Sequence, residues 1–202
     1  PETQALAITT EAGTVLHVTD WKIDPQPLIG TQTDADKLRR LGREGPIALM
    51  CDSTNVFETG RSGSEGELRD SLIELVGRCR NRVAIASFAS NVVRLETIAA
   101  AAAANGRHVG LVGRSLWNYS DIARECGYLA DTASFLSPAN AAHLPRDKVL
   151  LAVTGSQGEQ AAAMSRIARD DHPDVVLERG DTAIFSSRVI PGNEKPIGRV
   201  QN

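Results

Sequence analysis

The sequence has little that is aromatic, little that is sulfur-bearing and only a small surplus of acidic over basic charge. Aromatic residues are 4% of the 202, and the three cysteines, Cys51, Cys79 and Cys126, are an odd number without C-x-x-C spacing. That excludes a disulfide-stapled scaffold and a cysteine-built zinc site, and points to buried free thiols in a reducing cytoplasm. Cys51 lies in the apolar run 47–51 and is expected to be buried. No apolar run approaches the roughly 18 residues of a membrane-spanning helix, and no opening segment has the pattern of a cleavable leader, so no membrane role is expected. With 22 Lys and Arg against 25 Asp and Glu, the net charge of −3 excludes a protein that holds a nucleic-acid duplex by charge alone. Any nucleic-acid contact must be local. What is present, 42% hydrophobic and 23% charged residues, is the balance of a globular domain. Pro1 in place of a methionine and the plain ending at Asn202 read as a cut fragment.

Short runs rich in Val, Ile and Leu at 6–10, 15–18, 47–51, 83–87, 109–112, 149–153, 175–177 and 182–185 predict buried strands. Helical spacing or caps predict helices over 64–80, 91–105, 117–126 and 159–169, the second carrying six consecutive alanines and closing on Asn105-Gly106. Strand alternating with helix implies a doubly wound, mostly parallel α/β sheet. The first 30 or so residues differ, because runs 6–10 and 15–18 are joined by Glu11-Ala12-Gly13, a hairpin connection. Asp24-Pro25-Gln26-Pro27 and the polar stretch 31–40 read as a boundary loop.

Ligands of an open parallel sheet bind beyond the carboxyl ends of its strands. Here those crests read Phe88-Ala89-Ser90-Asn91, Gly113-Arg114-Ser115 and Thr154-Gly155-Ser156-Gln157-Gly158-Glu159. Glycine lets backbone approach an anion, serine and asparagine donate hydrogen bonds, and arginine forks onto phosphate oxygens. Each crest alone is also what an ordinary helix cap or turn looks like; three on one edge point to a phosphate-binding crevice. Asp20 and Asp52 follow two further strands, where a carboxylate can serve a metal or cap a turn. No P-loop, no G-x-G-x-x-G and no H-E-x-x-H occurs, and Thr154 spoils a G-x-S-x-G elbow around Ser156, which has no evident base. His17, His108, His143 and His172 are scattered; His108 at a strand start and His172 before Pro173 read as structural.

Six stretches in order, His17-Val18-Thr19-Asp20-Trp21-Lys22-Ile23-Asp24, Leu49-Met50-Cys51-Asp52-Ser53-Thr54-Asn55, Phe88-Ala89-Ser90-Asn91, Gly113-Arg114-Ser115, Thr154-Gly155-Ser156-Gln157-Gly158-Glu159 and Ile190-Pro191-Gly192-Asn193-Glu194, resemble the ribonuclease J family, β-CASP nucleases of the metallo-β-lactamase fold. The resemblance implies that residues 1–55 end the first segment of an incomplete metallo-β-lactamase domain and that 56–202 are the β-CASP domain. It implies a parent enzyme that cleaves RNA, preferably 5′-monophosphorylated, from the 5′ end and internally. Two divalent ions, zinc or alternatively manganese, would serve it in the cytoplasm, in a homo-oligomer. By position, Asp20 matches the family's metal-bridging aspartate and Asp52 its first acidic β-CASP motif; both are the catalytic candidates. Ser90, Asn91, Gly113, Arg114, Ser115, Gly155 and Ser156 match the pocket for nucleotide and 5′-phosphate. The sequence departs from the family pattern at Val18 and Thr19, where threonine and glycine are usual, and at Gln160, where proline is common. The family's H-x-H-x-D-H motif is expected before residue 1 and its later histidines after Asn202, so the chain alone is expected to bind no metal pair and to be inactive. It would need the rest of the metallo-β-lactamase domain as partner. The competing reading is a non-enzymatic nucleotide-binding or interaction module on a Rossmann-like sheet.

Overall fold

On either side of Glu11 and Ala12 the chain pairs with itself. In the computed structural model, which describes residues 4–202, β1 (Ala5–Thr10) and β2 (Gly13–Val18) are antiparallel with Thr10 opposite Gly13. Gly13 has φ +133°, a conformation open chiefly to glycine. β3 (Ala48–Met50) then runs parallel to β2, with Leu16 opposite Leu49 and His17 opposite Met50. This sheet belongs to a first compact unit that ends at Leu68; a second begins at Arg69.

Within the first unit, Leu6, Ile8, Ile47, Leu49 and Met50 are exposed, and so is Cys51. Cys51 is therefore a free but surface thiol, contrary to the burial expected of the cysteines; elsewhere in the chain Cys126 is exposed too and Cys79 is half-buried. For Cys51 the reason is position: β3 pairs on one side only, and among the described residues of this sheet Leu16 alone is buried. The polar stretch expected as a loop instead contains helix α1 (Ala35–Arg43). Asp34 caps it by accepting from Lys37 N at 2.8 Å, Asp36 pairs with Arg39 at 2.7 Å, and Arg40 and Arg43 sit in the last turn. No α1 residue is buried, so no apolar stripe announces it.

Helix α2 (Glu65–Arg78) starts on a charged knot. Asp24 accepts from Ser64 Oγ at 2.7 Å, Gln26 N at 2.9 Å and Glu65 N at 3.0 Å, with Lys22 Nζ at 3.5 Å. Burial alone would raise this carboxyl, but the bonds from Glu65, Ser64 and Gln26 and the charge of Lys22 outweigh it and lower the pKa to about 2.

The second unit holds four parallel strands, β4 (Val83–Ala86), β5 (His108–Val112), β6 (Val149–Val153) and β7 (Thr182–Phe185), in the order β5-β6-β4-β7. Alternate residues take opposite faces. Val83, Ile85, Val109, Leu111, Leu150 and Ala152 share a core with α2, α3 (Val92–Ala104) and α4 (Arg114–Glu125). Ala84, Ala86, Val112, Leu151 and Val153 share the other with α5 (Pro138–Ala142) and α6 (Ala163–Ala168). Helices on both faces of a parallel sheet make the unit doubly wound, as the alternation of strand and helix implied.

Several boundaries differ from expectation. Helix α4 starts at Arg114, directly behind Gly113, rather than at residue 117. Helix α6 is shorter than 159–169, because Gly155 and Gly158 have φ of +107° and +74° and hold the preceding stretch as a loop. The run 175–177 is no strand: Val175 is buried in the core, but Val176 O accepts from Arg82 Nη1 at 2.9 Å instead of a neighbouring strand. Helices α5, which has Ser137 as cap and Pro138 at its first turn, and α7 (Glu194–Gln201) had no counterpart in the apolar pattern. No helix among the described residues is long and apolar enough to cross a membrane.

The amino ends of the strands are stitched by buried charge. Arg107 donates from Nη1 to Asn81 O at 2.7 Å and Val149 O at 3.3 Å, and from Nη2 to Cys79 O. Asp181 accepts from Arg82 N at 3.0 Å, Glu178 N at 2.9 Å and Arg146 Nη2 at 2.7 Å.

Two predictions follow from these charges. Asp181→Ala strands two backbone donors and should lower stability by about 2–4 kcal/mol in urea unfolding, against under about 0.5 for the exposed Lys148→Ala. Because the Asp24 carboxyl titrates lower folded than in a free chain, its stabilisation is complete above pH ~4 and is lost as pH falls toward ~2. Asp24→Asn should therefore flatten the acid limb of stability against pH, read by thermal melts between pH 2 and 6.

Candidate functional site

The carboxyl ends of β4, β5 and β6 open into one cleft of about 870 Å³ within the second unit. Ser90, Gly113, Arg114, Ser115 and Gly155 all line it. Two further candidates stand differently. Asn91 accepts from Arg94 N at 3.0 Å and so caps α3, while Ser156 is buried with its Oγ unpartnered. With no base beside that hydroxyl, Ser156 is not an activated nucleophile.

The β5 and β6 crests press together. A Cβ at Gly113, where φ is +130°, would stand 2.5 Å from Thr154 Cγ2 and Oγ1, so glycine is required on both conformational and steric grounds. Thr154 in turn accepts at its carbonyl from Met164 N at 2.9 Å and at Oγ1 from Ala163 N at 3.3 Å, which brings the start of α6 up to the cleft.

Arg114 is the most informative residue here. It is the first residue of α4, exposed, and no hydrogen bond or ion pair holds its guanidinium among the described residues. A cation at the positive end of a twelve-residue helix is disfavoured by about 0.3–1 kcal/mol. Neither capping nor packing accounts for an arginine at this position, and among the described residues its guanidinium is left free at the cleft.

The cleft is also lined by Trp117, Tyr119, Glu159, Arg166, His172 and Asp174. His172, read from sequence as a structural turn residue, thus belongs to the cleft. Its Nδ1 accepts from Asp174 N at 3.3 Å, leaving Nε2 as the second ring nitrogen. Burial first, then the charge of Arg166, holds its pKa below the usual value against the opposing pull of Asp174 and Asp171, so the ring is neutral at pH 7. Nothing in residue spacing could have found it, since the turn after α6 reaches the cleft only through the tertiary fold.

Asp20 and Asp52 lie in the first unit, beyond the ends of β2 and β3, and Trp21 Nε1 donates to Asp52 O at 3.2 Å. Asp20 is exposed. The Asp52 carboxylate accepts from Thr54 Oγ1 at 2.5 Å and Thr54 N at 3.1 Å, and these bonds hold its pKa below the usual value. Among the described residues no three of His, Cys, Asp and Glu gather as a metal-binding group. The described residues alone therefore do not fit a two-metal centre.

A parallel sheet with helices on both faces and a polar, glycine-bearing cleft over its strand ends defines a doubly wound α/β domain. The family model described as the ribonuclease J β-CASP domain matches residues 80–202, more than half of the sequence. Proteins named ribonuclease J are similar over nearly all of it: 46% identical over 202 residues in Sinorhizobium meliloti, 46% over 198 in Mycolicibacterium smegmatis and 37% over 202 in Thermus thermophilus. These alignments take in 100%, 98% and 100% of this chain but 36%, 36% and 35% of the relatives, so the chain spans about a third of their length. The chain belongs to the ribonuclease J β-CASP domain family.

The crest geometry makes a direct prediction. Gly113→Ala should lose about 1–3 kcal/mol in urea unfolding. Gly127→Ala, also at positive φ but with no atom within 4 Å of the new Cβ, should lose measurably less. Equal losses would show that backbone conformation alone, not the contact with Thr154, fixes glycine at position 113.

Proposed function

We propose that this chain is the RNA-end clamp of a metal-dependent ribonuclease, holding the 5′-monophosphate and the adjoining nucleotide while the wider protein hydrolyses the phosphodiester bond. The observation that carries the reading is the unpaired Arg114 at a helix start, facing one cleft with Ser90, Ser115 and two glycines from three separate strand ends. Arg114 supplies a bidentate fork for phosphate oxygens, Ser90 and Ser115 supply hydroxyl donors, and Gly113 and Gly155 let the ligand approach the backbone. Tyr119 and Phe88, both partly exposed on the cleft wall, offer ring faces to a base. The names of the relatives support RNA as the substrate class.

In this reading residues 1–55 close the first segment of a metallo-β-lactamase domain and 56–202 form the β-CASP domain. The exposed apolar residues Leu6, Ile8, Leu49 and Met50 support a missing partner layer, the remainder of that domain. Two divalent ions, zinc or manganese, belong to the parent; Asp20 is assigned to them and Asp52 to the catalytic edge beside them. Since the described residues alone do not fit such a centre, hydrolysis is assigned to the wider protein and this chain by itself to binding. The parent is read as a cytoplasmic homo-oligomer, and the three free cysteines agree with a reducing compartment.

The test is a titration of the chain with 5′-phosphorylated and 5′-hydroxyl forms of one short oligoribonucleotide, followed by fluorescence anisotropy. The phosphorylated form should bind at least tenfold more tightly, and Arg114→Ala should remove about 1.5–3 kcal/mol of that preference, the worth of a charged hydrogen-bonding group. Equal binding of the two forms by the unaltered chain would sink the clamp and favour a general nucleotide-binding or interaction module.

A further inference from the structure

Gln157 is a buried amide with every hydrogen-bonding position of its side chain filled. Nε2 donates to Ser187 Oγ at 3.1 Å and to Arg188 O at 2.8 Å; Oε1 accepts from Ile190 N at 2.9 Å and Asn193 Nδ2 at 3.3 Å. An amide has two donors and two acceptor sites, so nothing is left over. All four partners lie in one segment, residues 187–193, which follows β7.

The backbone of the same residue holds a side chain of the cleft. Gln157 N donates to Glu159 Oε2 at 3.0 Å, and Glu159 lines the cleft. Gly158, next in the chain, packs so closely on Pro196 and Ile197 that a Cβ there would collide with their backbone. Because β6 and β7 lie on either side of β4, a bond between the loops that follow them spans the carboxyl end of β4, where Ser87, Phe88, Ala89 and Ser90 enter the cleft. Arg94, from the helix that follows this crest, reaches the same side, donating to Ser186 O at 2.5 Å and Ser186 Oγ at 2.8 Å.

We propose that Gln157 is a positioning residue that locks the loop after β6 to the loop after β7 across the end of β4, preorganising the cleft for its ligand. A site ordered before its ligand arrives binds more tightly, because the ordering is not drawn from the binding energy. The chemistry of the position is specific. Methionine fills the space with no polar atom, and glutamate keeps an acceptor for Ile190 N–H but cannot donate to Arg188 O. The identity of the ligand rests on the clamp reading above; the lock itself does not.

The experiment compares the unaltered chain with Gln157→Met and Gln157→Glu by residue-resolved amide hydrogen exchange and by titration with the 5′-phosphorylated oligoribonucleotide. In Gln157→Met, exchange at residues 187–193 and 155–159 should quicken at least tenfold while β4, β5 and β6 keep their protection, and affinity should fall about tenfold. Gln157→Glu should retain slow exchange at Ile190 and lose less affinity; it also serves if the methionine variant does not fold. Unchanged exchange at 187–193 would overturn the lock, and quickened exchange with unchanged affinity would overturn its positioning role. Failure of the unaltered chain to bind the oligonucleotide would sink the clamp reading alone. The lock would then stand or fall on whether 155–159 loosen together with 187–193.

Discussion

A carboxylate at the foot of the sheet decides where its upper edge lies. Asp181 has a side chain only 1% exposed, and it accepts from Arg82 N, which precedes β4, and from Glu178 N, in the turn before β7. Thr182 N, at the start of β7, returns a bond to Arg82 O at 2.9 Å, and the two strands run on with Val83 opposite Thr182. Arg107 makes the matching tie toward β6 through Asn81 O and Val149 O. Charges this deep are costly to desolvate, and they stabilise only because backbone groups and Arg146 satisfy them. Strands of four and five residues that start level also end level, so their crest loops have to meet.

At that upper edge the small polar residues divide into two kinds. Asn91 spends its side chain on a helix cap, which by itself accounts for its presence and is worth about 1 kcal/mol. Ser90, one residue earlier, makes no such bond to the helix and faces the cleft. Arg114 cannot be a cap, and its charge opposes the helix it starts. Magnitude separates the two kinds: a local bond accounts for Asn91, whereas local energetics disfavour Arg114, and the clamp proposed above rests on the second kind.

The same distinction shows what the sequence could and could not reveal. β4, β5 and β6 were legible because both their faces are buried, leaving unbroken runs such as Val149 to Val153. Helix α3 was legible from its cap and its alanines. Helix α1 was not, because its polar surface is continuous and its stability comes from Asp34 and from charges along it rather than from an apolar stripe. Run 175–177 and run 47–51 look alike on paper. The first sends Val175 into a core without joining a sheet, and the second joins a sheet without being buried, because pairing and burial are both settled by distant neighbours. Of the candidate site, Arg114 and the crest glycines could be placed by their position after strands, whereas His172 and Gln157 owe their roles to contacts with segments elsewhere in the fold.

Charge in the cleft is likewise local rather than broad. The cleft carries Arg114 and Arg166 against Glu159 and Asp174, with His172 neutral, so its formal charge balances and it exerts no broad attractive field. Arg166 is further occupied, donating to Asp171 O at 2.7 Å. In the clamp proposed above, recognition would come from one forked cation and a few hydroxyl and backbone donors at contact distance, where directionality matters more than net charge. The proposed clamp would thereby discriminate a terminal phosphate, with its extra charge and free oxygens, from the backbone phosphates that any basic surface would also attract.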